Sequence, residues 1–548
     1  MMVRMWPIII IVVLWTLLAT CNAISQDLVL PGGTVEAAIR CGDNANFDNC
    51  IIFGNLVLDG AKIDGDVHFN NTTFSNGVKF NASCFNGCAY FNNCRFGGKA
   101  DFSYSIFNKS AYYAGTNFDE STDFSNVHFT SLADFTTCEF NNQSNFQNCK
   151  FDGRSFFWDS RFIGPADFNE SMFNDEADFQ GSEFSESAGF IHSTFHKTAN
   201  FEDLIFQRSI AFSDSCFDQD AIFSHSYFGD QIDFNYGKFN GYVKFGNSHF
   251  NGNISFFDAE FDNSADFTAS EFNGSSDFSN SIFKECAYFS LTNYHGPVDF
   301  GQGYFGKEAY FLDSCFDNNL SLINRQFIKD AVFEGTKIKG VLFLKRSSYN
   351  KLYIRWFNIN DLDYDDSAYL YLLDNFKKLG YYEDFDSCYY EYRIEHRKQS
   401  WPGTNPLMKY LDAFMQYSYG YGKKPLNALL GSLLVIGLFG LFWTIVGIGK
   451  SNADLIMQDE YSSRDNVINK KPSHYSIIKD RINDFLYATG FSATVFLSGT
   501  KLFIDPPAVP DALYLTPDLT RKIYILERIL GGLFSILLFI TISGTVMR

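Results

Sequence analysis

The sequence is poor in the features that most enzymes and nucleic-acid binders require. Basic residues are outnumbered, with 43 Lys and Arg against 63 Asp and Glu, and the net charge is −20. Most of the acidic excess falls on residues 57–345, and a surface of that sign repels phosphate backbones. No basic patch interleaved with aromatics offsets it, so no nucleic-acid partner is expected. The 12 cysteines form no CxxC, and the 9 histidines are scattered without HExxH or a similar spacing, which removes the common zinc arrangements. No phosphate-binding loop and no nucleophile motif occurs. Acidic residues such as Asp175, Glu176 and Glu334 lie at recurring surface positions of a repeat. The chain is therefore not expected to be an enzyme, and no metal or cofactor is expected.

What is present is an interval. From Phe69 to Phe333, phenylalanine recurs at alternating steps of 5 and 6 residues, an 11-residue repeat sustained for 24 periods. Of the 49 positions in this frame 46 are Phe, and the exceptions are Tyr113, Tyr294 and Leu322. The period matches neither an amphipathic helix nor a simple strand. Turn formers such as Asn, Asp, Ser and Gly follow each Phe. Short strands separated by corners describe a solenoid of stacked units. Eleven residues cannot enclose a Phe side chain, so the smallest coil that stacks like on like has 22 residues and four sides. A three-sided coil would set a 5-step above a 6-step and turn inward side chains outward. Residues two before Phe are small, as at Ala100, Ala133, Ala166, Ala199, Ala265, Cys94, Cys138 and Cys149, and fill a narrow core. At the spacing of neighbouring strands, roughly 12 coils make a rod about 60 Å long.

The repeated unit, as in Ala133-Asp134-Phe135 with Phe140 and Ala177-Asp178-Phe179 with Phe184, resembles the Phe-centred pentapeptide-repeat proteins. That resemblance covers about residues 57–345 and implies a right-handed quadrilateral β-helix. Leu/Ile-centred first coils are expected around Leu56, Leu58 and Ile63, and residues 34–41 read as a helix that caps the open end. Some members of that family imitate the charge of DNA; here a solvated acidic surface is the preferred reading. Cys84, Cys88, Cys94, Cys138, Cys149, Cys216, Cys286 and Cys315 lie in the repeats with no two 22 apart, so most are expected as buried fillers. Cys41 and Cys50 are a candidate pair in an extracytoplasmic protein.

Residues 1–23 carry Arg4, an apolar run and the exit Cys21-Asn22-Ala23, the plan of a signal peptide or of an uncleaved N-terminal anchor. Residues 24–56 form an N-terminal cap, and residues 346–425 a helical linker with a hairpin turning at Gly380. Residues 426–548 are expected as a membrane domain. Leu426–Ile448 is uncharged and long enough to cross a bilayer, with Trp443 as an interface anchor. Ile523–Met547 is a second span whose Glu527 and Arg528 are expected near the interface, with a bundle-facing role as the alternative. Between them, residues 485–503 are apolar but broken by Gly490, Ser498, Gly499 and Lys501, and read as a re-entrant segment. Sequons at Asn70, Asn71, Asn81, Asn108, Asn142, Asn169, Asn253, Asn273 and Asn319, together with the signal peptide, favour an extracellular rod. Flanking Lys and Arg are balanced across the first span and do not orient it.

Span, re-entrant hairpin, span is the plan of a two-transmembrane channel pore. Tyr419-Gly420-Tyr421-Gly422-Lys423-Lys424-Pro425 resembles the lead-in of prokaryotic channel-like proteins that carry pentapeptide repeats. Tyr371–Phe376, Tyr389–Arg393 and Leu526–Gly532 resemble their linker hairpin and second span. The resemblance implies a homo-oligomer, a tetramer if a pore forms. The filter departs from it. Val495, Phe496, Leu497, Ser498, Gly499 and Thr500 fall where a potassium filter needs T-x-G-Y-G-D, and only Gly499 survives. Leu497 stands where a glycine backbone is needed. The expected function is a membrane protein with a channel-like module that is not a typical potassium channel, any ion path being lined by Ser498 and Thr500 with Phe496 and Leu497 as a hydrophobic gate. The alternative is a non-conducting membrane-anchored surface scaffold whose rod binds a partner of unknown identity. Membrane lipid is a partner in both.

Overall fold

A computed structural model describes residues 28–41, 45–399, 406–448, 474–500, 504–512 and 514–546. The expected signal segment 1–23 and residues 501–503 of the expected re-entrant segment lie outside the described residues. The chain divides into two compact units at Leu379 and Gly380.

The first unit is a β-solenoid followed by a helix. Two-residue strands pair in parallel with the strand one coil away, and the register is 22 residues throughout the Phe-rich part, as in Ala89 with Ala111 and Phe96 with Phe118. The strands form four ladders. Two stand alone with 15 and 14 strands, and the other two are counted as one sheet because Lys337–Phe343 runs round the corner between them. At this coil number the rod is roughly 70 Å long. Coils continue beyond the Phe frame at both ends, where Ile52, Leu56 and Leu58, and later Ile338, Leu342 and Leu352, take the buried positions.

Frame side chains point inward. Phe179, Phe184 and Phe190 are fully buried. Each ring lies parallel to the ring one coil away, at 4.7 Å and 3° for Phe157 and Phe179. Rings that open the 5-steps also meet one another edge-on half a coil away, at 5.3 Å and 89° for Phe157 and Phe168. Both geometries suit the ring quadrupole. Burying each ring contributes roughly 1.5–3 kcal/mol.

The unequal steps have a backbone cause. The residue two places after each Phe that opens a 5-step is left-handed, as at Asn126 (φ 58), Asn148 (φ 55), Asp159 (φ 55) and Gly181 (φ 69). Asn, Asp and Gly tolerate that region best. The small residues before Phe do more than fill space. Ser83 Oγ donates to Leu58 O at 2.5 Å, Ser160 Oγ to Phe135 O at 2.6 Å and Ser270 Oγ to Phe245 O at 2.7 Å. The thiols of Cys94, Cys138 and Cys149 take the same place, and burial pushes the Cys94 thiol up to about 12. Cys41 is a free, exposed thiol, so the Cys41–Cys50 disulfide is not formed.

Both ends of the rod are covered. Helix α1 (Gly32–Arg40) buries Val35 and Ile39 on the first coils, and its Arg40 reaches Val57 O at 3.4 Å. Helix α2 (Asp366–Leu379) follows the last strand and buries Ala368, Tyr369, Leu372, Leu373, Asn375 and Phe376. Its Asn375 pairs both ways with the Leu352 backbone, accepting at 3.0 Å and donating at 2.8 Å. An open strand end is thereby satisfied and blocked.

Gly380 (φ 73) ends α2 in the left-handed conformation of a helix stop. The second unit holds α3 (Tyr382–Gln399), α4 (Pro406–Tyr419), α5 (Pro425–Val446), α6 (His474–Leu497) and α7 (Pro517–Val546). Helices α5 and α7 are each long and apolar enough to cross a membrane.

Candidate functional site

The sequence-predicted site lies where α6 ends. Val495, Phe496 and Leu497 are the last residues of that helix, and Ser498, Gly499 and Thr500 form a single 3₁₀ turn. Val495, Phe496 and Ser498 are buried, whereas Leu497 is 37% exposed. Ser498 Oγ donates to Val495 O at 2.7 Å and so serves the helix end. Gly499 is needed for packing, because a Cβ there would lie 2.2 Å from Gly532 N and 2.4 Å from Arg528 O. A Cβ on Gly531 would likewise meet Phe496 O at 2.1 Å. The turn is therefore seated on the Gly531-Gly532 step of α7. Leu497 and Thr500 line an apolar cleft further along the same helix with Ser535, Ile536, Phe539 and Ile542.

Helix α6 is wedged between the two long apolar helices. Thr489 meets α5 at Gly440, where a Cβ would come within 2.6 Å of its Oγ1. One turn further on, Ser492 Oγ donates to Ile436 O at 3.0 Å. The chain thus runs antiparallel to α5, away from the Val446 end. After the turn it comes back to that end. Ile448 bridges Ala512, Tyr514 N donates to Val446 O at 3.3 Å, and Tyr524 Oη donates to Pro507 O at 2.6 Å.

One carboxylate ties the three helices. Glu527 of α7 is fully buried; it accepts from Trp443 Nε1 of α5 at 2.8 Å and from Ser492 Oγ of α6 at 2.5 Å. This contact bears out the bundle-facing reading of Glu527 and turns Trp443 inward with it. Both point into the bundle, since a buried carboxylate needs donors and the indole N–H is one. The signal available in sequence was an acidic residue set in an apolar run.

A second polar cluster joins α3, α4 and the turn Gly420–Gly422. Asp412 accepts from Arg393, from Arg397 Nη1 at 3.1 Å and from Tyr421 Oη at 2.6 Å. Burial opposes the charge of Asp412, but Tyr421 and the two arginines outweigh it and lower its pKa. Lys424 Nζ lies 4.3 Å from the Tyr390 ring centre and donates to its hydroxyl at 3.0 Å. The Tyr-Gly-Tyr-Gly-Lys-Lys segment, taken from sequence as a lead-in, thus braces α3 against α4. Gly420 (φ 58), Tyr421 (φ 52) and Gly422 (φ 92) make the tight reversal into α5.

Comparison with protein families finds pentapeptide repeats (9 copies) over residues 85–128, 124–172 and 256–303. The solenoid is a pentapeptide-repeat domain. No curated protein and no solved structure matches the chain.

The acidic surface of the pentapeptide-repeat rod has a structural use. Carboxylates just before a frame Phe accept from the backbone N–H just after it, as Asp123 from Ser125 at 2.8 Å and Asp299 from Gly301 at 2.7 Å. Histidines of the rod also meet carboxylates of adjacent coils: His128 Nε2 and Asp152 at 2.6 Å, His196 Nδ1 and Asp218 at 2.6 Å, and His295 Nδ1 and Asp317 at 2.7 Å. No group of His, Cys, Asp and Glu suited to a metal is found among the described residues. Several sequons arise from the repeat itself, because Thr72, Ser83, Ser144 and Ser171, which complete four of them, are buried at inward positions.

Proposed function

We propose that the chain is an integral membrane protein in which α5 and α7 span the bilayer, α6 re-enters between them, and the pentapeptide-repeat rod is held at the surface as a binding or scaffold domain. The observation that carries this reading is the path of the chain between the spans: it leaves the Val446 end of α5, reaches Gly532 of α7 and returns to Val446–Ile448. The apolar part of α6, residues 485–497, is too short to cross a hydrocarbon core of about 30 Å. A re-entrant helix between two spans is a channel-like module, and a central pore built from it needs roughly four copies in cyclic symmetry. The function is non-enzymatic. Any conduction is not potassium-selective, because residues 495–497 are helical and their carbonyls cannot form a filter's inward ring.

A second reading, a non-conducting anchor for the rod, draws on the seat of Gly499 against Gly532 and of Phe496 against Gly531, which packs the turn as a structural wedge. Flux of K⁺ and Na⁺ from liposomes containing the purified full chain separates the two. Cation flux without preference for K⁺ supports the pore. Strong preference for K⁺ overturns the reading of the turn, and a sealed liposome under all conditions leaves the anchor. The side of the membrane that holds the rod is proposed as extracellular; protease protection in oriented vesicles tests it.

A further inference from the structure

One face of the rod carries an outward aromatic pair beside a carboxylate. Tyr288 and Tyr310 lie in register on adjacent coils and stack in parallel at 5.4 Å and 5°. Tyr310 therefore covers one face of Tyr288. The other face looks along the rod toward Asp266, in register with Tyr288 on the preceding coil. An aspartate is shorter than a tyrosine, so the outer part of that ring stands clear. One coil further back, Lys244 is in register with Asp266, and Tyr242 lies two residues before Lys244. From the coil of Tyr242 to that of Tyr288 is two coil steps, about 10 Å. An open cavity of about 370 Å³ lies in this gap, lined by Tyr242, Asn263, Ser264, Asp266, Thr268 and Tyr288. Its polar groups are partly fixed and partly free. Asp266 accepts from Thr268 N at 2.9 Å and from Tyr242 Oη at 3.2 Å. Burial, and then the Asp266 charge, push the Tyr242 hydroxyl up to about 12, so it keeps the proton it donates. Asn263 Oδ1 accepts from Ser264 N at 2.8 Å, which leaves its Nδ2 to donate outward. Among the described residues, the Ser264 and Thr268 hydroxyls have no protein partner.

We propose that this cavity binds a neutral sugar ring of an oligosaccharide, stacked on the free face of Tyr288 with its hydroxyls on Asp266, Asn263, Ser264 and Thr268. The proposal rests on the reading of the rod as a binding domain and gives that role a ligand class. A pyranose ring has an apolar C–H face and a rim of hydroxyls. The cavity offers a matching π face beside groups that both donate and accept. Other ligand classes fit less well. An anion meets the Asp266 carboxylate. A cation finds that carboxylate already held by two donors, with Lys244 Nζ 5.4 Å from the Tyr242 ring centre. An apolar or aromatic group takes the Tyr288 face but leaves the polar groups around it without partners.

The test uses the full chain in phosphatidylcholine nanodiscs, which carry no sugar. Maltohexaose, cellohexaose, chitohexaose and mannohexaose are the probes, read by isothermal titration and saturation-transfer NMR. At least one is expected to bind saturably at millimolar concentration or below, with the strongest transfer to its ring C–H protons. Tyr288→Ala should weaken that binding about tenfold. The Ser264→Ala, Thr268→Ala variant, which removes no ring, should weaken it severalfold. Tyr90→Ala, in the outward stack with Tyr112 near the other end of the rod, should leave it unchanged. Matching thermal melts of the variants show that the fold is kept. Binding of no sugar overturns the proposal, and so does binding that neither cavity variant changes. Hexalysine separates this failure from that of the wider reading. If it binds through Tyr288 and no sugar does, the ligand class is overturned and the rod stands as a binding domain. If neither hexalysine nor any sugar binds, the cavity is no site, and the membrane reading is still decided separately by flux and protease protection.

Discussion

Arg325 occupies the space that a side chain at Gly303 would fill. A Cβ on Gly303 would lie 2.9 Å from Arg325 Nη1 and 2.1 Å from Ser281 O. Position 325 belongs to the inward series that elsewhere carries mostly Ser, Thr or Cys and otherwise only small or aliphatic residues such as Val127, Leu204 and Ala259, and Arg325 is fully buried there. Its guanidinium donates to Ser281 O at 2.9 Å and to Gln302 O at 2.8 Å, and lies 4.0 Å from the Phe305 ring centre. Ser281 is displaced from the regular bond and turns to Phe278 O instead. We expect Gly303→Ser alone to destabilise the rod by about 1–3 kcal/mol through overpacking. Combined with Arg325→Ser it should recover the part of that loss due to the guanidinium, while the strain of a side chain at φ 65 and its approach to Ser281 O remain. Denaturant titration of the two single variants and the double variant measures the coupling; additive effects would refute the shared slot.

Tyr113 and Tyr294 hold frame positions and stack correctly, at 4.8 Å on Phe135 and 4.7 Å on Phe316. Each hydroxyl is buried without a hydrogen-bond partner. Tyr113→Phe and Tyr294→Phe should each stabilise the rod by about 1–2 kcal/mol, the cost of an unsatisfied buried hydroxyl. Phe179→Ala should cost about 3–5 kcal/mol, and Phe156→Ala, one residue outside the frame and partly exposed, far less. Guanidinium midpoints rank the four, and equal losses at 156 and 179 would contradict the inward frame.

Acid should weaken the rod in a defined window. Lys339 and His295 hold the Asp317 carboxyl at about 2, below its ordinary 3.8. For Asp152, burial alone would raise the value, but hydrogen bonds from His128, Lys150 and Asn174 outweigh it and bring it to about 2. A lowered folded-state value means that the unfolded chain binds more protons between these limits. The stabilisation is therefore complete above the ordinary value and is lost as pH falls toward the folded one. Circular dichroism of the wild type between pH 5 and pH 2, roughly the range in which carboxylates titrate, should show this loss. The Asp152→Asn, Asp317→Asn variant should start less stable at neutral pH and depend less on pH; an unchanged slope would remove these two carboxylates from the account.

In the helical unit, Glu527→Leu should destabilise the bundle by roughly 1–3 kcal/mol by orphaning the Trp443 N–H. Ser492 keeps Ile436 O as an acceptor, so Ser492→Ala should cost less. Glu527→Gln retains one acceptor and should lie between. Unfolding in mixed micelles reads the order, and Trp443→Phe in the Glu527→Leu background should add little.

Much of the rod was legible without coordinates. Each frame Phe sees a ring one coil away, so a local period dictates a global register, and the 22-residue coil and the inward rings follow from it. The expectation that most repeat cysteines are buried fillers holds only for Cys94, Cys138 and Cys149; Cys84, Cys88, Cys216, Cys286 and Cys315 are part-exposed. The coils that use Ile and Leu escaped the Phe count, and the left-handed residues were visible only as a preference for Asn, Asp and Gly after Phe.

Outside the repeat, sequence by itself determined that two apolar helices flank a shorter apolar segment, because length and hydropathy are additive along a chain. Which way those helices face was decided only by tertiary structure. Helix α5 is apolar nearly all round, so nothing in its pattern turns Trp443 inward; the buried Glu527 carboxylate, which takes the indole N–H as a donor, does. The same holds for Gly499, which invites comparison with a filter as a motif but is held by the backbone of Gly532. It holds too for Arg325, whose buried place depends on the missing side chain of Gly303 one coil away. A period can be read from one chain position to the next, whereas a partner that balances one buried group against another is known only when the two are brought together.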